Sequence, residues 1–210
     1  MREGPFIIYT AGRSRTAWLS AFLNYGEYVC HNEMAVTFRD LDQVKAFFSG
    51  KVGSAETGAV PGWRLVEYLV PGIKTAVILR EPEDVVASFA RSAIASFATI
   101  DEARLRKIIA YENRCLQEVA ARPDVFVARF EELESEDVCR RLFEHCLPYP
   151  FDRSWWRMFR RQNIQSDAAS VVRYYLNNKD GVEGFKRLCK RQLIAWARSG
   201  AIRKDAHAFG

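Results

Sequence analysis

From residue 5 to residue 130 the chain alternates short apolar runs with longer segments whose apolar residues recur at helical spacing, and this alternation constrains the fold more than any other feature. The strand candidates are "PFIIYT", "EYVCHN", "KVGSAET", "KTAVILR" and "DVFVARF". Between them lie "SRTAWLSAFLNYG", "LDQVKAFFSG", "PGWRLVEYLVPG", "EPEDVVASFARSAIASF" and "DEARLRKIIAYENRCLQEVAAR", with Gly26, Gly50 and a Pro-Gly pair as helix stops and Asp101 as a helix cap. Strands separated by helices predict an α/β fold: a three-layer sandwich with a central, mostly parallel sheet. The 210 residues suit one core and no Pro-, Gly- or Ser-rich linker divides them, so residues 1–210 are expected to form a single domain with a basic, mainly helical C-terminal part.

In an open parallel sheet, ligands settle at the carboxyl ends of the strands, where the next helix begins. The stretch "TAGRSRTAW" falls at such a place and carries Gly12, Arg13, Ser14, Arg15 and Thr16. Gly12 permits a tight bend, Ser14 and Thr16 offer hydroxyl donors, and either arginine can grip a phosphate or sulfate through paired hydrogen bonds. A cation beside the positive end of a helix is unfavourable unless an anion lies between them. The alternative is that the arginines are solvated loop residues and Ser14 is only a cap. The loop lacks the Lys-Ser/Thr pair of G-x-x-x-x-G-K-[ST], which counts against a P-loop kinase using ATP and magnesium.

A strand followed by "GRSRTAWL" resembles the phosphosulfate-binding loop of the sulfotransferases, P-[RK]-S-G-T-T-W-L, a P-loop-like loop. Arg13, Ser14, Thr16 and Trp18 fall on the family's basic residue, serine, first threonine and tryptophan, while Gly12, Arg15 and Ala17 replace its proline, glycine and second threonine. The resemblance extends to "VILREPEDVVASF", in which Arg80, Pro82, Asp84 and Ser88 match the family's R-x-P-x-D-x-x-x-S form at the end of a later strand. "VARFEEL" resembles the family's next strand and acidic turn, and "KDGVEG" is a fainter echo of its late glycine-rich loop, where a simple turn is the favoured reading.

The resemblance implies a sulfotransferase that moves a sulfuryl group from 3'-phosphoadenosine 5'-phosphosulfate (PAPS) to a hydroxyl or amine, with no metal required. Arg13 would stabilise the transferring group, residues 12–18 would cradle the 5' end of the donor, and Arg80 with Ser88 would hold its 3'-phosphate. Trp18 would stack on the adenine, or else pack its helix on the sheet. "CHNE" at the end of the second strand offers Glu33 and His31 as general base, Glu33 being favoured, and Glu56 in "GSAETG" is a third candidate.

Five scattered cysteines without a C-x-x-C pair suggest reduced thiols, with Cys139 and Cys146 expected as core packing. Residues 153–210 hold thirteen Lys/Arg against four Asp/Glu, so this quarter is +9 and the remainder −4. That charge suits an anionic partner, but no recognition motif accompanies it, and nucleic acid is not the expected ligand. The expected acceptor is a small molecule or a glycan. Absence of a long apolar run or a leader-like N-terminus points to a cytoplasmic protein. A catalytically silent nucleotide or nucleic-acid binding protein on the same fold is the other alternative.

Overall fold

In the computed structural model, residues 3–91, 101–162 and 164 are described. Five strands form one sheet: β1 (Phe6–Thr10), β2 (Val29–Asn32), β3 (Val52–Glu56), β4 (Lys74–Leu79) and β5 (Phe126–Arg129). Their order is β2-β3-β1-β4-β5 and every pairing is parallel, so the mostly parallel sheet expected from sequence is wholly parallel among the described residues. The helices are α1 (Thr16–Phe22), α2 (Leu41–Phe47), α3 (Trp63–Leu69), α4 (Pro82–Ala90), α5 (Glu102–Ala120), α6 (Glu136–Cys146) and α7 (Arg153–Phe159).

All five residues of the central strand β1 are buried, which is why "FIIYT" carries no alternation of polar and apolar residues. Phe6 and Ile8 point into a core shared with Trp18, Leu19 and Phe22 of α1, Leu142 and Phe143 of α6 and Trp156 of α7. Ile7 and Tyr9 point into the opposite core, beside Val44 of α2, Leu65 of α3, Val85 of α4 and Leu116 of α5. Each large apolar side chain buried in these layers stabilises the fold by about 1.5–3 kcal/mol relative to exposure. Gly53 lets the β1–β3 pair close, because a Cβ there would lie 2.0 Å from the Phe6 ring.

The handedness of parallel crossovers explains why the helices divide this way. The chain leaves β1 outward to β2 through α1 on one face; every later step, from β2 to β3, β4 and β5, runs the other way and uses α2 to α5 on the other face. Connections therefore part in opposite directions between β1 and β4, and a crevice forms at their carboxyl ends.

Helix α7 and its cap are tied to α1 and the segment after it by three side-chain hydrogen bonds. The Trp18 indole donates to Phe159 O at 3.0 Å, the Trp155 indole to Phe22 O at 2.7 Å, and the Tyr25 hydroxyl to Asp152 at 3.0 Å. Asp101 caps α5, accepting from the Arg104 N–H at 2.7 Å. Cys139 and Cys146 are buried on α6, and Cys30 and Cys115 are also buried and free. Short 3₁₀ turns follow β2 at Met34–Thr37, where the sequence reading has no element, and β5 at Phe130–Glu134, where it has an acidic turn. "KDGVEG" and most of the basic C-terminal quarter lie outside the described residues. No helix among the described residues is long and apolar enough to cross a membrane.

Candidate functional site

The loop after β1 bends through two arginines rather than through its glycine. Arg13 has φ 65° and Arg15 φ 63°, whereas Gly12 lies outside the left-handed region and a Cβ on it would meet nothing within 4 Å. The expectation that Gly12 makes the bend is therefore corrected: position 12 tolerates a side chain, and position 15 is where a glycine would relieve strain. Arg15 occupies the residue before α1, with φ 63° and ψ 30°, and no side chain caps the helix there. Ser14 is wholly buried, its hydroxyl 3.5 Å from the carbonyl of Gly12. Thr16 and Ala17, both half-buried, open the helix.

Arg80, at the end of β4, reaches across the crevice and donates through Nη1 to the carbonyl of Arg13. Its guanidinium also lies over the ring of Phe130, 4.1 Å from the centroid. Burial lowers its pKa from the ordinary arginine value; Asp84 and Glu131 oppose the shift, while the charges of Arg13 and Arg91 reinforce it. The Nε atoms of Arg13 and Arg80 are both buried without a hydrogen-bond partner. Ser88 stands half-buried on α4, two turns after Arg80.

Arg15 turns toward the segment after β5. It pairs with Glu134 at 3.4 Å, lies 5.4 Å from the Phe130 centroid, and lines a groove with Arg160, Arg161 and Gln162. Phe130 thus supports two arginines from different loops. The sequence reading singled out "VARFEEL" without assigning Phe130 a role; an aromatic residue just past a strand end was the available signal.

Trp18 is 1% exposed, stacks on Phe22 with ring centroids 4.9 Å apart and donates its indole N–H to the backbone of α7. Both faces are enclosed, so adenine stacking is corrected in favour of packing between helix and sheet.

The three candidate bases are separated by their surroundings. His31 faces α2, edge-on to Phe47 at 5.2 Å, back along β2 from the strand end. Glu33, past the strand end with φ 59°, sits at the carboxyl edge and folds its carboxylate onto the segment after β3. It accepts from the Thr57 N–H at 3.0 Å, the Thr57 hydroxyl at 2.8 Å and the Gly58 N–H at 3.3 Å. Burial raises its pKa from the usual carboxylate value, and those hydrogen bonds oppose the rise. Glu56, the last residue of β3, is 1% exposed. Among the described residues no group of three or more His, Cys, Asp and Glu could hold a metal ion.

The chain matches no family model and no curated protein sequence. It is similar in structure to a sulfotransferase from Alicyclobacillus acidocaldarius, at 16% identity and TM-score 0.54 over 94% of this chain and 100% of that one. It is likewise similar to the sulfotransferase domain from the curacin biosynthetic pathway, at 13% identity and TM-score 0.56 over 80% of each chain. The fold is that of the sulfotransferases.

Proposed function

We propose that the protein transfers a sulfuryl group from PAPS to a hydroxyl or amine of a small molecule or glycan. The observation that carries this reading is the meeting of Arg13 and Arg80 at the β1–β4 crevice, each with a buried and unpartnered Nε. Two arginines from two strand ends, tied through the Arg13 carbonyl, near enough for the charge of one to act on the other and each left with an unspent donor, fit an anionic ligand with two charged ends.

PAPS would supply the sulfuryl group. Arg13 and the N–H groups of the loop would hold the 5'-phosphosulfate and offset the charge that develops on the leaving oxygen. Arg80 and Ser88 would hold the 3'-phosphate. Thr16 would add a hydroxyl donor, and Arg15 a further positive charge toward Phe130 and the Arg160–Arg161 groove. Glu33 would take the proton of the acceptor, since it is the candidate carboxylate at the strand edge that is only half-buried.

Calorimetry with adenosine 3',5'-bisphosphate, with and without magnesium, tests the reading. Metal-independent binding that is lost in Arg13→Ala supports it. Binding of ATP only with magnesium, or of neither nucleotide, overturns it.

A further inference from the structure

Glu33 and Glu56 stand at the tips of adjacent strands, and they are solvated by the protein in opposite ways. Three donors from Thr57 and Gly58 surround the Glu33 carboxylate, a shell suited to a negative charge. Glu56 receives the Ala35 N–H at 3.0 Å and the Ser54 hydroxyl on Oε1 alone. Its Oε2 is buried with no hydrogen-bond partner. An ionised carboxylate with one dry oxygen carries a heavy desolvation penalty, which a neutral carboxylic acid largely escapes.

The Ser54 hydroxyl and the N–H groups of the turn after β2 offset a charge on Glu56 only in part, and burial with the charge of Glu33 outweighs them. Tyr9 lies beside it in register on β1, Cys30 on β2 interacts with it electrostatically, and the turn after β2 contributes the N–H groups of Met34 and Ala35. Its charged neighbour is Glu33. Burial first, and the charge of Glu33 second, hold Glu56 protonated up to about 8.

We propose that Glu33 and Glu56 work as one pair carrying a single proton, in which the buried Glu56 is a positioning residue that keeps the proton and leaves Glu33 as the carboxylate. The role in catalysis rests on the sulfuryl-transfer reading; the shared proton does not. In that reaction the acceptor oxygen bonds to sulfur as the bond from sulfur to the bisphosphate oxygen breaks. The acceptor's proton passes to Glu33, and it is released to water after product leaves; no electrons are exchanged. With Glu56 neutral, Glu33 remains ionised and ready. With Glu56 ionised, the second negative charge would draw a solvent proton onto Glu33 and block it.

Infrared difference spectroscopy of the whole protein during pH titration reads the proton directly, through the C=O stretch of a protonated carboxyl group. The parent protein is expected to show this band at neutral pH and to lose it near pH 8. Glu56→Gln removes the band. Glu33→Gln keeps it but moves its titration to lower pH, a shift that a purely structural Glu56 would not show. A band unchanged by Glu56→Gln, or a midpoint unchanged by Glu33→Gln, overturns the pair. Bisphosphate binding, measured on the same samples, separates failure of the pair from failure of the transferase reading.

Discussion

Arg80 donates through its guanidinium to the main-chain carbonyl of Arg13, so the end of β4 holds the loop that follows β1. One side chain thus has two tasks, shaping the loop and presenting charge beside it.

Arg80→Ala is expected to lose both. A charge-assisted hydrogen bond contributes about 1.5–3 kcal/mol, so affinity for adenosine 3',5'-bisphosphate should fall by roughly 10- to 100-fold. The melting temperature should fall as well. Undiminished affinity in calorimetry would remove Arg80 from the site.

Arg15 is held at φ 63°, a conformation that costs a residue with a Cβ about 1–2 kcal/mol. Its partner Glu134 is largely exposed, and such pairs contribute little. Arg15→Gly should therefore stabilise the protein by about 0.5–1 kcal/mol in urea denaturation. A loss of stability would show that the contact with Phe130 outweighs the strain.

Trp18→Phe removes one of two donors to the carbonyl of Phe159, which keeps the Gln162 N–H at 2.9 Å, and opens space between α1 and α7. A cost of about 1–3 kcal/mol is expected, with donor affinity nearly unchanged. A large drop in affinity at unaltered stability would return this indole to the binding site.

Gly53→Ala drives a methyl group to within 2.0 Å of the Phe6 ring in the middle of the sheet. It should destabilise the fold by about 1–3 kcal/mol, whereas Gly12→Ala should be almost neutral. Equal effects in parallel thermal melts would contradict the backbone geometry described for both positions.

Glu56 has a pKa near 4.5 when unfolded and about 8 when folded. Between those values the native state binds more protons, so this group makes stability fall as pH rises. Glu56→Gln removes the dependence. Its stability relative to the parent, followed by urea denaturation, should climb from about pH 5 to about pH 8. A constant difference across that range would mean that Glu56 is ionised throughout.

The layers were legible in the sequence because they follow from local pattern, whereas Arg80 was singled out through the resemblance of "VILREPEDVVASF" to a family motif. An unbroken apolar run marks a doubly covered strand, and a cation just past such a run marks a strand end. Trp18 was not legible, since stacking on a ligand and packing in a core demand the same residue; only the arrival of α7, some 140 residues later, decides between them. The partners of Glu33 come from a separate strand end, and the register that brings Thr57 and Gly58 to it is a property of the sheet. Arg15 was visible as a departure from a glycine, but its strain belongs to the backbone.

Strand β1 pairs with β3 and β4, so its hydrogen-bonding partners lie more than forty residues downstream. A newly made chain must carry "FIIYT" unpaired until β3 has been added, and with one edge open until residue 79 completes β4. Folding that waits on distant pairings is slow and leaves an apolar segment open to association with other chains. Recovery from denaturant should accordingly depend on protein concentration, with dilution favouring the monomeric route.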